Sequence, residues 1–144
     1  ADRKTLEEIK RLYSKGAVTL RDFRVERNGN GRDFDIIPSF AGDYAHGYVL
    51  NFDLVPVDPG KVSMLLHSSG YSVDGNSNLR VFLRQDEIRK HFPDFALNHP
   101  YTVRATLILD VGSGGQSGYW SDAFIERVFP IRERSQSVTR EIRF

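Results

Sequence analysis

The stretch VDGNSNLR, residues 73–80, sets Asp74, Asn76 and Asn78 at alternating positions, the oxygen-rich spacing that opens a calcium loop. Such a loop also needs glycine at the sharp turn that follows and a bidentate glutamate at its twelfth position. Leu79 and Gln85 stand there instead, and no amphipathic helix leads into the stretch. Asp, Gly, Asn and Ser are equally the residues of plain turns. The segment is expected to be a metal-free loop between two strands.

Other reactive combinations are incomplete. His46, His67, His91 and His99 show neither H-x-x-x-H nor H-E-x-x-H spacing, so a zinc site has no support. Asp43 and His46 in DYAHG have no serine in a nucleophile-elbow context beside them. NGNG is not a dinucleotide fingerprint, and no G-x-x-x-x-G-K-[ST] stretch exists to cradle phosphate. The chain has no cysteine, which excludes thiolate nucleophiles, disulfides, zinc knuckles and iron–sulfur clusters. A pair of glycosidase carboxylates has no sequence pattern that would single it out. The reading is a protein without catalytic residues, metal or cofactor; the alternative is an unrecognised hydrolase.

The elements that would position any site are legible as changes of period. TLEEIKRLYSKG reads as a helix with Thr5 and Glu8 as a capping box, Leu6, Ile9 and Tyr13 on one face, and Gly16 as its stop. VTLRDFRVE and NGNGRDFDII read as a hairpin turning at residues 28–31. PSFAGDYAHG is a connector. YVLNFDLV alternates Tyr48, Leu50, Phe52 and Leu54 against Val49, Asn51 and Asp53, the period of a half-buried strand. DPGK is a tight turn, VSMLLHS a second strand and LRVFLR a third. QDEIRKHF is a short helix with Ile88 and Phe92 four apart and Pro93 at its end. YTVRATLILDV is the longest strand, YWSDAFIERVFPI follows a flexible GSGGQSG loop as the next, and SVTREIRF adds an edge strand.

The order of residues 47–131, three strands, a short helix and two strands, resembles an OB-fold. LRVFLRQDEIRKHF passes straight from a third strand into the helix. ALNHPYTVRATLIL looks like the entry to a fourth strand in the tRNA-anticodon-binding-like branch, and YWSDAFIERV like a final strand. The resemblance implies a mainly β (α+β) single domain over residues 1–144, built on a five-stranded OB-like barrel at 47–131. Residues 1–46 would be a helix and hairpin elaboration and 132–144 a C-terminal extension. The alternative is an antiparallel β-sandwich, since many short strands with turn signals read that way too.

The resemblance also implies where a ligand would sit, because OB-folds bind along strands two and three and the loops beside them. Arg80, Phe82 and Arg84 alternate on one side of the third strand, a ring between two guanidinium groups. That is the make-up of a stacking platform for single-stranded nucleic acid. His67 on the second strand and Lys61 in the first loop would extend it. The competing expectation, which is the one favoured, is that the N-terminal helix covers Phe82 and that the arginines are solvated or paired to Asp and Glu. Tyr119 and Trp120 close the glycine-rich loop and offer stacking or anchoring surface. Trp120, Asp122 and Phe124 would share a face, so Trp120 and Asp122 are not expected both to be buried.

Charge weighs against non-specific nucleic-acid binding. The net charge is +1, although residues 1–32 carry nine basic and five acidic side chains and residues 33–125 six basic and eleven acidic. No apolar run approaches the roughly 18 residues of a membrane helix, so membrane insertion is not expected. A start at Ala1 reads as a trimmed chain. A signal peptide ahead of it would make the protein periplasmic or otherwise exported, and its absence cytoplasmic. The leading functional reading is a non-enzymatic binding or adaptor module for a protein partner. Single-stranded nucleic acid or an oligosaccharide is the alternative ligand.

Overall fold

In a computed structural model of the chain, which describes residue 7 and residues 18–41, 48–58, 60–71, 79–109, 126–127 and 130–144, the early hairpin forms as expected. Strands β1 (Thr19–Arg27) and β2 (Phe34–Ala41) pair antiparallel, with a bulge at Arg21. The turn closes on its own side chains. Asn28 accepts from the Asn30 N–H, and Asn30 from the N–H groups of Arg32 and Asp33. Gly31 takes the left-handed conformation (φ 74°) that only glycine adopts without strain.

Two antiparallel sheets carry the fold. The first has the order β1–β2–β5, where β5 is only Val81–Leu83. The second has the order β4–β3–β6–β7, from β3 (Tyr48–Val55), β4 (Met64–Tyr71), β6 (Pro100–Leu109) and β7 (Ser135–Arg143). Two short helices, α1 (Gln85–His91) and α2 (Ile131–Arg134), lie between strands. Tyr48, Leu50, Phe52 and Leu54 of β3 alternate buried, and Val103, Ala105, Leu107 and Leu109 of β6 join them. Phe23, Phe34, Ile36, Val81 and Leu83 face them from the first sheet. Phe23 meets Phe52 edge-on at 5.6 Å, and Phe144 meets Phe34 and Phe95 at 5.3 Å each, so aromatic rings join the two layers.

Where β1 runs beside β7, side chains substitute for a ladder. Gln136 Oε1 accepts from the Leu20 N–H at 2.8 Å, and its Nε2 donates to the Val18 carbonyl at 3.0 Å. Arg140 Nε donates to Asp22 at 2.8 Å.

Three expectations need correction. Among the described residues no closed barrel exists, because the third strand of the expected barrel pairs with β2 and not with β4. The register explains the choice: Ile36 faces Val81 and Phe34 faces Leu83, so four buried side chains line one face. β4 is bulged at Leu66, and a bulge bends a strand out of ladder geometry. The hairpin is consequently no elaboration; it supplies most of one sheet. Finally, the expected last strand is not extended where it is described: Glu126 and Arg127 are helical and α2 follows. The expected edge strand at the tail does form, as part of β7 on β6. Of the N-terminal helix only Glu7 is described, and it is helical. VDGNSN lies outside the described residues.

Candidate functional site

β5 is too short to be stable alone, and its neighbours fix it in place. Asp33, at the start of β2, is buried and accepts the Gln85 N–H at 2.9 Å, capping α1 from the hairpin turn. Gln85 returns a bond from its Nε2 to the Arg32 carbonyl at 2.7 Å. The Gln85 N–H holds the Asp33 carboxyl below the ordinary carboxylate range, with Asn30 and Arg32 adding to that effect against the cost of burial. Ile88 buries into the core, and Arg89 donates to the Phe95 carbonyl at 2.7 Å while lying over its ring. The strand–helix junction is therefore rigidly docked.

That docking opens a groove. β5 and β4 are the outer strands of their sheets and lie near each other without pairing. A cavity of about 310 Å³ lies between them, lined by Met64, Leu65, Leu66, Phe82, Leu83, Arg84, Glu87, Ile88 and His91. Leu65 is 56 % exposed and Phe82 47 %, both large apolar side chains at its mouth. The preceding loop continues this character, since Val57 and Val62 stand open to solvent on either side of the 58–61 turn. Scattered exposed apolar residues are ordinary, but a concave apolar lining with an exposed ring and leucine at its rim is not.

The anticipated residues divide. Arg80, Phe82 and Arg84 do share an outward face. Phe82 keeps about half of its surface exposed, which corrects the favoured expectation of burial; the helix expected to cover it lies, apart from Glu7, outside the described residues. The arginines, by contrast, are paired. Arg80 donates from Nε and Nη2 to Asp35 at 3.2 and 3.1 Å and reaches Glu26 at 3.3 Å. Arg84 pairs with Asp86 at 3.0 Å across open surface. Asp35, buried and also held by Asn28 Nδ2 at 3.0 Å, raises the Arg80 guanidinium pKa further, with Glu26 assisting. Only Phe82 and Arg84 line the groove.

His67 points the other way. Its ring packs on buried Phe52 and stacks with Tyr71, whose hydroxyl is 2.7 Å from Nε2. Burial pulls its pKa below the ordinary value of 6.5. Tyr48, packed against Tyr71, is buried, which pushes its phenol up to about 12. Lys61 sits exposed in its turn, donating its N–H to the Asp58 carbonyl. Tyr119 and Trp120 lie outside the described residues.

Met64, Leu65, Leu66, Ile88, Glu87 and His91 went unnoticed as lining. One signal was present: three consecutive apolar residues cannot all face one side of a strand, so MLL must expose one. Among the described residues no group of three His, Asp or Glu side chains could hold a metal ion. The groove is lined mainly by apolar side chains, with Arg84, Glu87 and His91 beside them, and it can bury apolar side chains of a ligand. Comparison with family models, with curated proteins and with solved structures finds no match to this chain.

Proposed function

We propose that the protein is a non-enzymatic binding module whose groove between β4 and the β5–α1 junction takes up apolar side chains of a protein partner. The single observation that carries this reading is the apolar lining with Leu65 and Phe82 exposed at its mouth. Buried apolar clusters of this kind dominate protein recognition, and aromatic anchors contribute most. The order strand, strand, strand, helix, strand persists over residues 48–109, and it is the part of the OB-fold resemblance that we carry forward. On that resemblance β4 and β5 stand for strands two and three, where such folds bind, although here they flank the groove without pairing.

A peptide-display selection against the full chain tests it. Convergent apolar peptides are expected whose binding is lost in Phe82→Ser and Leu65→Lys while both variants stay folded. A selection without convergence, or one indifferent to both substitutions, overturns the reading. Nucleic acid or oligosaccharide remains the second reading on one observation, the exposure of Phe82 between two arginines. Salt-sensitive binding of a single-stranded oligo(dT) that Phe82→Ser abolishes would favour it.

A further inference from the structure

Sheet edges are normally blunted against strand pairing by charge, brevity or proline. The four edges of this fold differ in that respect. β1 carries Arg21, Asp22, Arg24, Glu26 and Arg27 within nine residues. β7 carries Arg140, Glu141 and Arg143. β5 is three residues long. β4, reading MLLHSSGY, has eight residues and no formally charged side chain or proline. Its inner side pairs with β3, and among the described residues no strand pairs with its outer side. The exposed residues of β4 are Leu65, Ser68 and the bare Gly70, none of them charged, and β5 approaches the strand beside the groove.

Resting on the protein-binding reading above, we infer that the partner is another protein's extended segment, uncharged and apolar, added as a strand to the outer edge of β4. Two features of the edge set that chemistry. Backbone N–H and C=O groups on a side that no described strand pairs call for an occupant that brings matching backbone groups in a line, which an extended chain does and a helix does not. The charge character of the edge selects the side chains. A segment rich in carboxylates or ammonium groups would give up hydration along β4, which carries no counter-charge of its own. The formal charges it would meet in the groove are only Arg84, already paired with Asp86, and Glu87, whereas a neutral segment gives up little. Alternate side chains of such a segment would turn towards the groove beside Met64, Leu66 and Phe82, and the others towards solvent.

The test uses a ten-residue peptide taken from the display selection, titrated into the full chain, together with versions N-methylated at one amide each. A strand added to β4 is expected to lose tenfold or more in affinity at alternate amides and to be unchanged at the ones between. Leu65→Lys and Gly70→Asp, which charge the edge, should weaken it to a similar degree, and Thr139→Lys on the β7 edge should not. Uniform tolerance of N-methylation, or a helical peptide with anchors at every third and fourth position, overturns strand addition and leaves the groove reading intact. A peptide that binds without sensitivity to Phe82→Ser overturns both. A concentration-dependent dimer of the protein that Leu65→Lys abolishes would give the edge to a second copy and also overturn the inference.

Discussion

Replacing Phe82 and Phe144 in turn by alanine separates a ring that serves the surface from one that serves the core. Phe82 keeps 47 % of its surface in solvent. It therefore supplies about half of the 1.5–3 kcal/mol of a fully buried phenylalanine, or about 0.8–1.5 kcal/mol. No enclosed void is left behind, because the groove is already open, so no cavity penalty adds to this. Phe144 is 6 % exposed and meets the rings of Phe34, Phe95 and Tyr101. Its removal leaves a hole bounded by fixed neighbours, and the expected loss is about 3–5 kcal/mol. Urea unfolding followed by circular dichroism reads both. With a slope of about 2 kcal/mol per molar, the midpoint should fall by about 0.4–0.8 M for Phe82→Ala and about 1.5–2.5 M for Phe144→Ala. A Phe82→Ala loss as large as that of Phe144→Ala would mean that Phe82 is covered in solution. The groove reading would fall with it.

Three further outcomes follow from polar contacts. Gln136→Ala removes two of the bonds between β7 and the β1 region and leaves the Leu20 N–H and Val18 carbonyl unmatched; a loss of about 2 kcal/mol is expected in the same assay. His67 has a depressed pKa, so the unfolded chain takes up its proton first; stability should be full above the ordinary 6.5 and decline as pH falls from there through the folded value. His67→Gln should flatten that decline in melting temperatures measured from pH 8 to 5. Asp33 is likewise depressed, so its contribution is present above 3.8 and lost as pH falls through the lower folded value; Asp33→Asn should melt earlier at neutral pH and lose that acid dependence.

Local pattern was legible where one face of an element is buried and the other is not. The alternation in β3 and β6 and the Ile88 face of α1, closed by Pro93, appear in the structure as read. Pairing was not legible, because the order of strands along the chain is compatible with more than one set of neighbours. Whether the Val81–Leu83 strand joins β2 or β4 depends on matching Ile36 and Phe34 across some 45 residues and on a bulge at Leu66. Neither leaves a local mark. The cap of α1 is equally remote, since Arg84 at the N-cap position offers no capping bond and Asp33 provides it. At the site, alternation correctly put Arg80, Phe82 and Arg84 on one face, but their carboxylate partners come from three other places in the chain.

Those partners are what separate a protein ligand from a nucleic acid. Asp35 is 5 % exposed and depends on Arg80 and Asn28 for its compensation. A phosphate that drew Arg80 away would leave a buried carboxylate short of a partner, a cost that a solvated phosphate contact does not repay. Arg84 is different, because its bond to Asp86 lies on open surface, where such pairs contribute little and exchange readily. A single strand laid across Phe82 would therefore gain one guanidinium, not two. One neutralised phosphate gives a slope of about −0.7 in log affinity against log salt, less than about a threefold change between 50 and 200 mM. Oligo(dT) titrations at those two concentrations should show no more than this. A tenfold or greater change would mean that Arg80 leaves Asp35, and the electrostatic case for a neutral, apolar partner would be wrong.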